Sequence, residues 1–362
     1  AAEKHSITRL WKQSSRLISR SITQNAGDHG EHYITRDKKE YWAMFYSAAG
    51  GGVLIALMAL FKIYLGSIID DKVWKGIAEG LNYGLGFMVI FMLHFTVATK
   101  QPAMTAARFA EAVEKTPQGK SVNMKLAQLL VDVFRSQSIA VLGNVLIAMG
   151  LAALIAFGYQ YKTGEPLMNA DQIAYQLHSI DPFAGTLWFA AIAGVWLFCS
   201  GIISGYFDNR SNYLNMRMRL TQHPLLKKLM SEKSRVKFAN YMHENYGSLI
   251  GNLCFGMLLG ITGVVGYLTH LPLDIRHVAF SSANVGYIAV SGQFTYSLLL
   301  QCIGFVLLIG LVNLVVSFSL TLWVALRSLN AEIESWWPIW YEVCQIVKKR
   351  PLSLFFPVQL DK

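Results

Sequence analysis

Polar side chains inside long uncharged stretches are the first candidates for chemistry. Each one costs free energy in an apolar setting unless it pairs or lines a cavity. The stretches hold few of them, namely His94, Asn144, Asn252, Gln301 and Asn313. None is a carboxylate, so the pattern does not favour a proton relay through the middle of the protein. The amides predict either a polar site or hydrogen bonds between helices, which is the commoner use of such residues.

Ionisable residues also stand where two of these stretches end. His94 and Lys100 lie close together at the end of the second stretch, and Asp208 and Arg210 follow the fourth. Asp208 and Arg210 are an acid and a base two residues apart, and they predict either a polar site near lipid headgroups or a local ion pair. For His94 the alternative is a simple interfacial histidine.

The connection at 271–287 is unusually apolar for a solvent-facing loop, yet it contains Asp274, Arg276 and His277. We expect it to be partly re-entrant or to cover one mouth of the protein. Non-helical backbone at such depth must be buried in protein or line water. Because charge is rare in that setting, these three residues are candidate functional residues.

No metal or cofactor site is expected. His29 and His32 lie beside Asp28 and Glu31, and they are weak candidates for a divalent metal because their spacing fits no HExxH motif. The alternative is a solvated linker. The four cysteines form no CxxC or Cys/His pattern.

The elements that must position these residues follow from composition. The chain of 362 residues is 53% hydrophobic and only 15% charged, whereas about 25% charge is typical of soluble domains. A helix needs about 20 apolar residues to cross a bilayer. The pattern predicts an all-α integral membrane protein with a six-helix domain over 43–326. The predicted helices are 43–65, 77–98, 137–160, 183–207, 247–270 and 294–326.

The net charge of +10 is distributed unevenly along the chain. Of the 32 basic residues, 27 fall in the first 42 residues, the second and fourth connections and the segment 327–362. This positive-inside pattern predicts a multi-pass membrane protein with both ends in the cytoplasm. Anionic lipids are the expected partners, with protein partners possible at the cytoplasmic face. Nucleic acid is a less favoured partner, because topology already accounts for the charge.

The six helices are expected to form three hairpins, one-two, three-four and five-six. Similar Gly-rich stretches at 51–57, 143–149 and 251–257 suggest an internal repeat with like-oriented copies, although chance similarity is the alternative. Asn144 and Asn252 would then form a polar ring. The cytoplasmic segments 1–42 and 100–120 are expected to contain interfacial amphipathic helices. The segment 327–362 is expected to be a cytoplasmic aromatic and basic tail, anchored at the interface around Trp336.

Four stretches, 30–37, 98–106, 205–210 and 271–277, resemble a bacterial membrane family named "site-specific recombinase". The resemblance extends over nearly the whole chain. It implies a location in the bacterial inner membrane and, as the family name states, DNA strand exchange. Family members run longer at the N-terminus. Because this chain begins without Met, we expect it to be the C-terminal part of a longer protein.

Three functions are therefore compared. A transport or channel protein predicts a water-filled cavity lined by Asn144, Asn252 or His94. A membrane scaffold predicts a closed bundle with binding surfaces on the cytoplasmic side. A recombinase predicts sequence-specific DNA binding, but the His-x-x-Arg motif of tyrosine recombinases occurs nowhere in the sequence. The residues favour the first two functions over the third.

Overall fold

A computed structural model describes residues 33–115, 120–292, 294–331 and 333–357. Within these ranges the protein is all-α, as the sequence predicts, and has no strand. We number its α-helices in chain order as α1 Lys38–Ile68, α2 Lys72–Met92, α3 Gln101–Lys115, α4 Lys120–Thr163, α5 Ala170–Ile180, α6 Thr186–Tyr213, α7 Met216–Gln222, α8 Pro224–Leu229, α9 Glu232–Thr269, α10 Val278–Ala289, α11 Tyr296–Leu329 and α12 Trp337–Lys349.

Five of the described helices are long and apolar enough to cross a membrane: α1, α6, α9, α11 and the part Asn123–Thr163 of α4. The remaining predicted crossing is the second in chain order, 77–98. It corresponds to α2, which is not among these five helices. Lys72, Lys75 and Glu79 reduce the hydropathy of its first turns, and the helix ends at Met92, before the predicted boundary.

Polar side chains fix where several helices begin. Asp37 accepts the backbone N–H of Glu40 and starts α1. Asp71 accepts from Val73 and Trp74 at the start of α2. Each carboxylate satisfies donors that have no partner within the helix and interacts favourably with the positive end of the helix dipole. The short 69–71 turn therefore separates two well-defined helices.

The three sequential hairpins are not the packing units of the bundle. α1 packs mainly against α4, α2 packs mainly against α9, and α6 packs against both α9 and α11. Close contact between α4 and α6, or between α9 and α11, is not found in the described part of the chain. Hydropathy could not show this, because two shorter helices, α3 and α10, occupy the positions between the long ones.

Helices α3 and α10 are buried inside the bundle. In α3, Ala106, Phe109 and Ala110 pack against Leu322 and Ala325 of α11. This helix was expected to lie along the membrane interface, but its apolar face is covered by protein instead.

The α10 helix is the unusual connection near 271–287. All its residues from Val278 to Ile288 except Asn284 are buried, and it packs mainly on α4. Tyr287 donates a hydrogen bond from its hydroxyl to the carbonyl of Ala56 at 2.8 Å.

Glycines allow α2 and α9 to cross in close contact. A Cβ atom on Gly256 would collide with the backbone of Gly84, and one on Gly260 would collide with the backbone of Gly80. The spacing of four in both helices therefore brings the two backbones together, as in other small-residue crossings.

One end of the bundle, the basic face, is where α1, α4 and α9 begin and α6 and α11 end. The short helices α7 and α8 follow α6 there. Helix α12 contacts α4, and Trp336, just before it, stacks on Phe109 with ring centroids 6.0 Å apart. Trp337 and Trp340 of α12 are exposed on this face. Helix α5 lies at the opposite end of the bundle.

Candidate functional site

Helices α2 and α9 end in the same way, and the chain then turns back into the bundle. His94 follows α2 with φ of 56°, and His270 follows α9 with φ of 57°. After each left-handed residue, an irregular segment leads to a short helix, α3 or α10. The side chain of His94 is exposed, so this candidate residue contributes a backbone turn and lies outside the cavities described below.

Asn144 on α4 holds the first irregular segment. Its Oδ1 accepts from the N–H of Ala98 at 2.8 Å. Its Nδ2 donates to the carbonyls of Thr96 at 2.9 Å and Ala48 on α1 at 2.6 Å. All three hydrogen bonds are buried, so Asn144 binds backbone and does not reach Asn252.

Asn313 on α11 holds the second segment with the same pattern. Its Oδ1 accepts from the N–H of Val278 at 3.1 Å. Its Nδ2 donates to the carbonyls of Arg276 at 3.0 Å and Ala190 on α6 at 2.7 Å. We call these two arrangements the Asn clamps. In both, the side-chain amide accepts from one backbone N–H and donates to the carbonyl of the residue two positions earlier.

A further pair of backbone hydrogen bonds matches. Thr96 donates to the carbonyl of Ser47 at 3.1 Å, and Arg276 donates to that of Phe189 at 3.2 Å. The accepting residues, Ser47 and Phe189, immediately precede Ala48 and Ala190, respectively.

The bundle therefore contains two similar halves. The first half consists of α1, α2, α3 and α4, which correspond in that order to α6, α9, α10 and α11 of the second half. Since α1 begins at the basic face and α6 ends there, the halves run in opposite directions. This two-fold relationship differs from the three like-oriented copies expected from the glycine-rich stretches.

The two irregular segments meet in the centre of the bundle. The hydroxyl of Thr99 and Nε2 of His277 lie 2.7 Å apart. His277 is only 1% exposed, and its Nδ1 has no hydrogen-bond partner among the described residues. The rings of Phe87, Phe255 and Phe280 lie within 6.1 Å of the imidazole, centroid to centroid. We call His277 and these three rings the aromatic layer.

Lys100 lies on one side of the aromatic layer. Its ammonium donates to Oδ1 of Asn252 and lies 5.1 Å from the ring centroid of Phe87 and 4.9 Å from that of Phe255. No carboxylate of the described residues forms an ion pair with it. Two residues predicted separately, Lys100 and Asn252, are thus brought into one site.

A cavity of about 120 Å³ lies beside Lys100, towards the basic face. We call it the basic-side cavity. Its polar lining includes Lys100, Asn252, Ser204, Ser248 and Asp208. The predicted candidate Asp208 also accepts the N–H of Gly247 at 2.9 Å, whereas Arg210 is exposed beyond the cavity.

A second cavity of about 490 Å³ lies on the other side of the aromatic layer. We call it the opposite-side cavity. Its lining includes His277, Phe280, Asp274, Arg276 and Glu79.

The other two candidates in the 271–287 connection bond to each other. Arg276 pairs with Asp274 at 2.6 Å and donates from Nε to the carbonyl of Ser179 at 2.8 Å. This connection was expected to be re-entrant or to cover a mouth, and its ion pair borders the opposite-side cavity.

Several residues of the site were missed from the sequence. Thr99 and the three phenylalanines carry no signal in their own spacing, and Asn313 was noted only as a polar residue. The weak metal candidates His29 and His32 lie outside the described residues. In the ranges that the structure describes, no cluster of three or more His, Cys, Asp or Glu could hold a metal.

Comparison with known proteins gives one match. A family model described as "Site-specific recombinase" matches residues 1–357. No curated protein and no solved structure matches the chain.

Proposed function

The chain belongs to the site-specific recombinase family, and we propose that it acts as a membrane transport protein. The observation that carries the proposal is the meeting of two short helices, α3 and α10, between two cavities that each have polar side chains in their lining. Inverted repeats with interrupted helices, and a site where the repeats meet, are the architecture of many secondary transporters. A dry, closed bundle would have favoured a scaffold.

The surface of the bundle supports insertion in a bilayer. Leu57, Leu85, Leu154 and Leu311 are exposed on four different helices, and such a wide apolar surface would cause aggregation in water. The basic face would be cytoplasmic by the positive-inside rule. The exposed Trp188 and Tyr296 on the other side suit the second membrane interface.

The two Asn clamps supply the rigid part of the proposed mechanism. Irregular backbone inside a membrane protein is tolerated where it is buried or lines water. Asn144 and Asn313 satisfy the backbone groups of both segments, so the starts of α3 and α10 are held at fixed positions. A solute entering from either cavity then reaches the same central point.

The aromatic layer supplies the barrier. Phe87, Phe255 and Phe280 surround His277, and the Thr99 to His277 hydrogen bond links the two halves across it. Passage requires this layer to open, either by rotation of side chains or by movement of one half against the other. Such movements of one repeat against another are how inverted-repeat transporters alternate access.

The test is flux through the purified protein in liposomes. Small ions and neutral solutes are presented one at a time, and uptake is compared with empty liposomes. The variant Ser248→Trp fills the basic-side cavity, whereas Val315→Trp adds the same ring to an exposed position of α11.

We expect flux in the wild type and in Val315→Trp and its loss in Ser248→Trp. Uptake equal to that of empty liposomes for every solute would overturn the proposal and favour a scaffold. Flux that survives Ser248→Trp would overturn the proposed route.

A further inference from the structure

The ammonium of Lys100 lies inside the bundle and forms no ion pair with a carboxylate of the described residues. Its contacts are one amide oxygen and two aromatic faces. A buried cation normally pairs with an anion, because an amide and ring faces replace only part of its hydration. Lys62 shows the ordinary arrangement in the same protein, since its ammonium pairs with Glu79 at 3.4 Å.

Two helix starts add positive potential at the same place. The chain enters α3 through a 3₁₀ turn, Ala98–Lys100, while α10 starts at Val278. Thr99 and His277, at these two starts, are in hydrogen-bond contact. The N-terminal end of a helix carries about half a positive charge, which favours anions.

His277, at the start of α10, has a buried hydrogen-bonding atom that no described residue uses, on the opposite side of the junction from the basic-side cavity. Its ring is almost completely buried, and Nδ1 has no partner in the described residues. Buried polar atoms are nearly always hydrogen-bonded. Nε2 can accept the hydroxyl proton of Thr99 while Nδ1 keeps its proton, since a neutral imidazole donates from one nitrogen and accepts at the other. His277 lines the opposite-side cavity, so an anion beside Lys100 would lie in the basic-side cavity and would not depend on this imidazole.

We propose that the junction of α3 and α10 binds a small inorganic anion, with Lys100 as its main electrostatic partner. This inference rests on the proposed transport function and names its substrate class. The 120 Å³ beside Lys100 accommodates an ion the size of chloride, nitrate or phosphate. Asp208 also lines this cavity and accepts the Gly247 N–H, so the anion is placed against Lys100, away from that carboxylate.

Binding is tested on the purified full chain by its thermal unfolding midpoint. Chloride, nitrate and phosphate are compared with gluconate at constant ionic strength. The variant Lys100→Met removes the charge at similar length, and Lys100→Arg keeps it. Lys72→Met is the matched control, because Lys72 also contacts an aromatic ring, that of Tyr267 at 4.1 Å, but stands far along α2 from the junction.

We expect at least one small anion to raise the midpoint of the wild type, Lys100→Arg and Lys72→Met above the gluconate value. Lys100→Met should lose this rise. An equal rise in Lys100→Met would overturn the site. If that variant does not fold, the wild type still decides, because a midpoint that is the same in all four anions would overturn the proposal.

Flux separates this inference from the proposed function. Passage of cations or neutral solutes with no anion-specific stabilisation would leave a transporter without this site. Anion-specific stabilisation that depends on Lys100, with no flux of any solute, would leave the anion site and overturn transport.

Discussion

Asn144 and Asn313 occupy the same position in the two halves of the molecule, and each connects three backbone groups from two chain segments. Neither amide has a spare polar atom facing a cavity. Both side chains are therefore structural, although isolated amides within apolar helices are also typical of binding sites.

Replacing either clamp should destabilise the protein strongly. In Asn313→Leu, the N–H of Val278 and the carbonyls of Arg276 and Ala190 lose their shared partner. Each unsatisfied buried group costs about 1–3 kcal/mol, so we expect a loss of about 3 kcal/mol or more. Unfolding of the purified protein in mixed detergent measures it.

The matched control is Asn245→Leu, since Asn245 bonds only to the carbonyl of Tyr241 within its own helix. Its loss should stay within about 1 kcal/mol. Equal losses of unfolding free energy in Asn313→Leu and Asn245→Leu would show that the three hydrogen bonds of the clamp stabilise the protein no more than one.

The α2 and α9 crossing should not tolerate side chains. Gly256→Ala places a methyl group against the backbone of Gly84, and such overpacking costs about 1–3 kcal/mol. Gly150→Ala is the control, because nothing lies within 4 Å of the added atom. That variant should gain about 0.5–1 kcal/mol from the higher helix propensity of alanine. The same unfolding assay compares them, and a neutral Gly256→Ala would contradict the close crossing.

Orientation can be tested with thiol labelling in right-side-out vesicles. Cys344 is exposed on α12, on the side of the basic face. If that face is cytoplasmic, a membrane-impermeant maleimide should label Cys344 only after the vesicles are opened. In a chain whose native cysteines are replaced by serine, Phe183→Cys on the opposite face should react in sealed vesicles. The reverse pattern would invert the proposed topology.

The aromatic layer should control flux. Phe280→Ala removes a ring that contacts Tyr83 and Phe87, and it should raise the flux of the transported solute in proteoliposomes. Phe157→Ala is the control, because Phe157 is exposed on α4 and should leave flux unchanged. A fall in flux in Phe280→Ala, with the protein still folded, would argue against a barrier at this level.

The family description also invites a DNA-binding test. Basic residues gathered on one face attract DNA without reading its sequence, and such binding weakens steeply with salt. We expect any binding by the purified protein to be lost by roughly 200 mM salt. Sequence-specific retention above that concentration would support a recombinase and contradict our preference.

The sequence predicts the long helices well, because hydropathy depends only on local composition. It fails at α3 and α10, where the decisive fact is what covers each segment, and it leaves the crossing by α2 a prediction. Lys100 and His277 are recognisable as candidates from their apolar surroundings. Their contact partners come from residues far away in the chain, such as Phe87 and Asn252, and no local pattern encodes those contacts. The two-fold relationship is hidden because α7 and α8 lengthen only one half.

The packing of α3 on α11 and of α10 on α4 has a consequence for synthesis. When the ribosome has completed the first four helices, α3 can pack only on α4, because α11, its main packing partner, begins only at Tyr296. The nascent first half must therefore wait, shielded by the insertion machinery or by lipid, until almost the whole chain has been translated. Two co-expressed half-length chains would face no such delay, and their assembly into one complex would be an obligate pairing of unlike partners.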